Sequence, residues 1–366
     1  MRINFIYFQE DLKMTIHTFE VSSTLTGELF YKIQRDLKLK DNDKWTTLPN
    51  GMTYWGLSKK GITSINMYQI KKKDFYSYSI TYRISARRVM DNNDFVGLFN
   101  AKDYDDLKDV INELLKSKSE HLPKLNHCKL RRLDFCINAE LDNQEQVKAY
   151  IKTAKRSNIP AGLEVFTEYD KTSKRTKPTK DDYTVYSDKY IAISIYNKYR
   201  EMKKQKDGVF PTRELERAKN IVRIEIRCME NKIKTLKKKY NIKTIPEFMS
   251  RADKIGNELY KYYLSKIFNK GTIYTVKEAL AQINNSEYKA KTKKLLKEFL
   301  SDANESRSVG KTYRDYKKIY GKHKTKHILE LLDDIDTNCV TVTTADNKAF
   351  DNGYIPTPLE LYKDFR

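Results

Sequence analysis

The chain divides by the period of its hydrophobic positions. Up to about residue 243, stretches of alternating apolar and polar residues are separated by stretches with apolar residues three and four apart. These are the spacings of half-buried strands and of amphipathic helices. Residues 15–22 read as a strand, and residues 27–37 as a helix with Leu29, Phe30, Ile33 and Leu37 on one side. Residues 65–70 and 75–84 form a predicted hairpin around the basic turn Lys71, Lys72, Lys73 and Asp74. In its second strand Tyr76, Tyr78, Ile80, Tyr82 and Ile84 alternate with Ser77, Ser79, Thr81 and Arg83. A helix over 103–117 follows, apolar at Leu107, Val110, Ile111, Leu114 and Leu115, and then a strand over 128–138.

Strand, helix, two strands, helix, strand is the order of a ferredoxin-like split unit. A second set follows: a helix over 144–156 and strands over 162–167, 183–187, 190–198 and 221–229. No sequence repeat relates the two sets, so duplication is a topological option only. After Lys243 only helical periods remain. Thr244, Pro246 and Glu247 make a capping-box start for one long helix carrying Phe248, Ala252, Ile255, Leu259 and Tyr263 on one side, and Thr275 with Glu278 makes a second box. Further amphipathic stretches cover 286–299, 309–320 and 324–335, and the tail with Pro356 and Pro358 reads as irregular or as a short docking segment. The expected fold class is α+β. An antiparallel ferredoxin-like sheet domain, with duplication as an option, covers residues 1–243, and a basic all-helical domain covers residues 244–366.

Three strands share one pattern. Leu133, Phe135 and Ile137 oppose Arg132, Asp134 and Cys136; Ile191, Ile193 and Ile195 oppose Ser194, Tyr196 and Lys198; Val222, Ile224, Ile226 and Cys228 oppose Arg223, Glu225 and Arg227. A sheet pairing these strands would pack helices on its apolar side and leave its ionic side open. Such a face suits phosphodiester chemistry. Asp134 and Glu225 would hold Mg²⁺ or Mn²⁺ through oxygen, the cations Lys198, Arg223 and Arg227 would cradle phosphate, and Tyr196 would attack. The plain alternative is that these residues form cross-strand ion pairs and that Tyr196 is one packing tyrosine among 26.

Composition narrows the partner. A formal charge of +22 on 366 residues points to a polyanion. No run has the length and apolarity of a spanning helix and no leader pattern is present, so a cytoplasmic protein without a membrane role is expected. Cys128, Cys136, Cys228 and Cys339 lack the spacing of a zinc site or a disulfide framework. His323 and His327 stand four apart without a third ligand at a familiar spacing and read as solvated or DNA-facing. Basic tracts lie at 171–180, 232–243, 289–297 and 317–326. The first reads as a loop that orders on DNA, the others as solvated helix faces or phosphate contacts. The pair of helices joined through Gly321 has the outline of a helix-turn-helix, with plain helical packing as the alternative.

The runs RRLDFCIN (131–138), IYNKYRE (195–201) and VRIEIR (222–227), in this order, resemble the three characteristic stretches of replication initiation factors. That family comprises the rolling-circle initiators of plasmids and filamentous phages, with the related relaxases of conjugative elements. The C-terminal helices and the IPTPLEL segment at 355–361 resemble phage-type members. The resemblance implies a metal-dependent nickase that recognises a partly single-stranded origin, cuts one strand, stays attached through tyrosine and recruits a host helicase; a homodimer is an option. The strand aspartate falls on Asp134 and the acid of the Arg-x-Glu-x-Arg strand on Glu225. In the plasmid branch a tyrosine precedes that glutamate, whereas this chain has Ile224. Either the nucleophile is elsewhere, Tyr196 first and Tyr190 second, or the chain binds an origin without cutting it. A third reading is an RNA-binding sheet with Tyr76, Tyr78 and Tyr82 stacking on bases.

Overall fold

The computed structural model describes residues 14–41, 43–159, 162–165, 167–170, 175–178, 182–204, 210–268, 270–350, 354, 355 and 357. In chain order the elements are β1 (Thr15–Leu25), α1 (Gly27–Lys40), β2 (Trp45–Leu48), β3 (Gly51–Tyr54), β4 (Ile62–Lys72), β5 (Phe75–Ser85), α2 (Ala86–Met90), β6 (Phe99–Asn100), α3 (Tyr104–Lys116), β7 (Lys129–Glu140) and α4 (Gln144–Arg156). There follow β8 (Glu164–Val165), β9 (Thr167–Asp170), β10 (Arg175–Pro178), β11 (Tyr183–Ser187), β12 (Ile191–Asn197), α5 (Lys198–Lys204), α6 (Thr212–Ala218) and β13 (Ile221–Cys228). The remainder is helical: α7 (Glu230–Lys239), α8 (Ile245–Ser250), α9 (Ala252–Phe268), α10 (Val276–Asn285), α11 (Ala290–Glu305), α12 (Val309–Tyr320), α13 (Lys322–Asp334) and α14 (Thr344–Asn347). The fold is α+β: an open sheet of eleven strands, antiparallel in every described register, with helices that dominate the C-terminal part.

Two compact units are each assembled from separate stretches of chain. The first comprises Met1–Ile137, Lys189–Ile191 and Ile226–Glu258; the second comprises Asn138–Asp188, Ala192–Glu225 and Leu259–Arg366. In the first, the strands run in the order β2-β3-β4-β5-β1-β7, with β6 on β1. Period-2 alternation puts Phe19 and Val21 of β1 and Ile80, Tyr82 and Ile84 of β5 in the core, where Phe30, Ile33 and Leu37 of α1 are also buried. Thr26 caps α1 by accepting the Leu29 N–H at 3.2 Å. Tyr82 is fully buried and donates its hydroxyl to the Pro123 carbonyl, so the stacking sheet for RNA loses its central tyrosine. The hairpin β2–β3 is absent from the sequence expectation. Its Gly51 has φ +156°, and a Cβ there would stand 1.8 Å from the Met67 carbonyl oxygen, so the register against β4 requires glycine.

In the second unit the strand order is β13-β12-β11-β8, and β9 and β10 make a separate two-stranded ribbon. The two orders differ. In the first unit the strand preceding the first helix, β1, lies beside the hairpin strand β5; in the second, the last strand of the set, β13, lies beside the hairpin strand β12. Helix α4 buries Val147, Tyr150, Ile151 and Ala154, and Tyr186 of β11 donates its hydroxyl to the Ala154 carbonyl. Helices α10 to α13 enclose a core of their own around Ile283, Leu296, Phe299, Leu300, Ile328 and Leu332. Both expected capping boxes form, at Thr244 with Glu247 and at Thr275 with Glu278. The single long helix expected from residue 244 is in fact two, because Arg251 leaves helical geometry at φ −109°, ψ 6° between α8 and α9.

Candidate active site

In the first unit, strand register builds an ionic row. Glu20 of β1 stands opposite Arg83 of β5 on one side and Arg132 of β7 on the other. Its Oε1 accepts from Arg83 Nε at 2.7 Å and from Arg132 Nη1 at 2.9 Å. Two residues along β7, on the same face, Asp134 takes the fork of Arg132, with Nε to Oδ1 at 2.8 Å and Nη2 to Oδ2 at 2.5 Å. Arg227 of β13 approaches the same carboxylate, its Nε 3.3 Å from both oxygens. The Asp134 side chain is 1% exposed and that of Arg132 14%, whereas Arg227 at 32% and Arg83 at 50% reach solvent. Burial works against the Arg132 charge, but Asp134 and Glu20 beside it outweigh that and raise its pKa.

In the second unit, a second cluster forms where β12 turns into α5. Asn197 ends the strand. Its Oδ1 accepts the Arg200 N–H at 3.1 Å at the start of α5, and its Nδ2 donates to Gln144 Oε1 of α4 at 3.0 Å. This fixes Tyr196, half-buried, whose hydroxyl donates to Glu225 Oε1 of β13 at 2.5 Å. Arg223, on the same face of β13, is fully buried and donates Nε to Asn138 Oδ1 at 2.8 Å. Lys198, also buried, pairs with Glu201 at 2.8 Å. Burial first, and then the Arg223 charge, lowers its pKa, against Glu201 and Glu225.

The alternation read from the sequence is present, with Phe135, Ile193, Ile195, Val222, Ile224 and Ile226 buried. The ionic side, expected to be open, is largely covered: Asp134, Lys198, Arg223 and Glu225 are all buried, and Arg132, Ser194, Tyr196 and Arg227 are partly exposed. Alternation assigns a side chain to a face but says nothing of what lies over that face. Of the expected site residues, Asp134 and Arg227 come together in the first unit, and Tyr196, Lys198, Arg223 and Glu225 in the second. Tyr190 is 40% exposed, with Lys189 over its ring.

Sequence reasoning missed Glu20, Asn138 and Glu201. Glu20 and Asn138 have a signal, since each continues the polar positions of its strand. Glu201 has one only in its i,i+3 spacing from Lys198. Asp134 does not fit a divalent cation in this arrangement. A carboxylate offers about four lone-pair sites, and its two oxygens here face Arg132 and Arg227, whose charges repel a metal. Among the described residues no group of three or more His, Cys, Asp or Glu is placed to hold a metal ion. His323 and His327 are exposed, the latter 3.5 Å from Glu330.

The basic tracts separate into different kinds. Within 171–180, expected to be a loop, residues Arg175–Pro178 instead form a strand paired with Thr167–Asp170; the others lie outside the described residues. The tract at 232–243 is partly neutralised, with Lys234 on Glu230 and Lys239 on Glu258. In the tract at 289–297, Lys293, Lys294 and Lys297 line a shallow depression together with Glu298 and Asp302. No helix among the described residues is long and apolar enough to cross a membrane.

Set against known families, residues 89–250 match a family described as the N-terminal part of a replication-associated protein, the replication initiator of filamentous phages. No curated protein and no solved structure matches the chain. The matched stretch holds every residue of the two ionic clusters except Glu20 and Arg83, and it bears out the resemblance to replication initiators.

Proposed function

We propose that this chain, whose residues 89–250 match a replication initiator family, binds origin DNA and cuts one strand with Tyr196 as the attacking group. The observation that carries the reading is the Tyr196 hydroxyl, half-buried and 2.5 Å from Glu225 Oε1. A phenol is a weak nucleophile until it loses its proton, and an adjacent carboxylate is the group to take it. Glu225 is thereby the general base. As the proton passes to Glu225, the Tyr196 oxygen forms a bond to phosphorus and the P–O3′ ester bond breaks. The 3′ oxygen leaves with a proton from water, giving a free 3′-hydroxyl, the end a polymerase extends, and a 5′-phosphotyrosine. Within the first unit, separately, Asp134 is a positioning residue that holds Arg132 and Arg227, and Arg227, which reaches solvent there, offers a charge to the DNA backbone. The order β4-β5-β1-β7, antiparallel throughout its described registers, supports reading the first unit as a ferredoxin-like split unit extended by the β2–β3 hairpin.

A second reading, an initiator that binds its origin without cutting, is favoured by the burial of Lys198, Arg223 and Glu225. Incubation with a labelled origin oligonucleotide and divalent cations, followed by denaturing electrophoresis, separates the two. The first reading expects a covalent protein–DNA band that disappears in Tyr196→Phe and falls about 10²–10⁴-fold in Glu225→Gln, the usual contribution of a general base. The absence of a band from the wild-type protein with any cation establishes the second.

A further inference from the structure

We infer that the corner formed by α12 and α13 is a contact surface for the phosphate backbone of duplex DNA. The inference rests on the reading of the chain as an initiator that acts on DNA. It extends that reading to a surface remote in sequence from the matched stretch 89–250. Residues 309–327 carry seven Lys or Arg against one acid, Asp315. All seven cations are exposed. Of the seven, Lys318 and Lys326 stand beside a carboxylate, and among the described residues Lys311, Arg314, Lys317, Lys322 and Lys324 do not.

The helices that carry these cations are held by their buried sides. Thr312 and Tyr316 bury the inner side of α12, with Tyr316 edge-on to Phe299 and its hydroxyl donating to Asp302 at 2.7 Å. On α13, Thr325, Ile328 and Leu332 are the buried side. The helices meet at Gly321, whose φ of 80° and ψ of 165° are open essentially to glycine alone. Its N–H donates to the Lys317 carbonyl, and its own carbonyl accepts from the Thr325 hydroxyl at 2.8 Å. The cations at the end of α12 and at the start of α13 are therefore brought to one corner by a bend that the backbone locks. Lysines and arginines that face no acid raise the electrostatic free energy of the folded chain, and a polyanion laid across them relieves it.

Duplex rather than single-stranded DNA fits the side chains between the cations. Proteins that hold single strands stack successive bases on aromatic rings. Of the apolar residues exposed at this corner, Ile319 is aliphatic and Tyr320 is the one aromatic, with Lys324 Nζ 4.5 Å from its ring centroid. The array offers charge without a stacking platform.

The test is the salt dependence of binding to a fluorescent mixed-sequence duplex, measured by anisotropy on the full chain. Each neutralised phosphate contributes about 0.9 to the log–log slope. Combining Lys311→Ala, Arg314→Ala, Lys317→Ala and Lys322→Ala should lower the slope by about 3 to 4. It should weaken binding at least tenfold near 0.15 M salt and leave the melting curve unchanged. Should that variant fold poorly, Arg314→Gln with Lys322→Gln should lower the slope by about 2. Alanine at Lys234, Lys237, Lys238 and Lys239 removes the same charge from α7 and should change the slope by less than 1. The inference is overturned if the α12–α13 variants keep the wild-type slope. It is also overturned if the α7 variant loses as much, or if a single-stranded probe of equal length loses slope while the duplex does not. Loss of the covalent band in Tyr196→Phe with an unchanged duplex slope bears on the nucleophile and not on this surface, so the two proposals fail separately.

Discussion

At Asp134 two guanidinium groups converge on one buried carboxylate, and the consequence is energetic as well as chemical. Removing one member of a buried ion pair leaves the other uncompensated, at a cost of about 3–5 kcal/mol. Asp134→Ala should therefore lower the free energy of unfolding by about that amount in urea titration. Asp134→Asn, which keeps one acceptor oxygen for Arg132, should lose less. A metal ligand would behave differently: its replacement would abolish cutting at wild-type stability. Cys228, two residues from Ile226 in the core, gives a pH signature. Burial, and after it the Asp134 charge, outweighs Lys232 and pushes its thiol from 9.0 up to about 12. A raised thiol pKa stabilises the fold fully below pH 9, where the unfolded thiol is also neutral, and that contribution is lost as pH rises from 9 towards 12. Stability from Cys228 should thus decline across that window, and Cys228→Ala should flatten this part of the curve even though it lowers stability overall. A decline of the same steepness in the variant would assign the slope to other groups.

Among the elements, caps and turns decide where the helices begin and bend. Gly321→Ala should cost about 1–3 kcal/mol in thermal or urea unfolding because a Cβ is strained at φ 80°, even though it would meet no neighbour there. Thr244→Ala should cost about 1 kcal/mol through loss of the α8 capping box. These features were legible beforehand, since both boxes and the glycine corner stand in the sequence, as do α4, β11 and α12 with the boundaries found. Other elements were not. The β2–β3 hairpin consists of two four-residue strands, too short for a period to emerge, and its register depends on the backbone of β4 approaching Gly51. The break at Arg251 is invisible because Phe248, Ala252, Ile255 and Leu259 keep helical spacing across it. The candidate site shows the same division. Tyr196, Glu225, Asp134 and the arginines follow from period-2 alternation, but pairings such as Glu20 with Arg83 and Arg132 follow from strand register, which a single strand does not encode.

For the molecule as a whole, the surplus of +22 is a statement about partners. Part of the positive charge is spent within the fold: Arg132 on Asp134 and Glu20, Lys198 on Glu201 and Lys239 on Glu258. At the α12–α13 corner seven cations face a single acid within nineteen residues. Binding by the whole chain should accordingly weaken steeply with salt, and the corner should carry several units of that dependence. On the proposed mechanism, cutting should depend instead on the second unit's Tyr196–Glu225 pair. The most direct measurement is peptide mapping by mass spectrometry of the adduct formed on an origin oligonucleotide. The account predicts a nucleotide mass on the peptide bearing Tyr196; a modification on any other tyrosine, or an adduct undiminished in Tyr196→Phe, would contradict it.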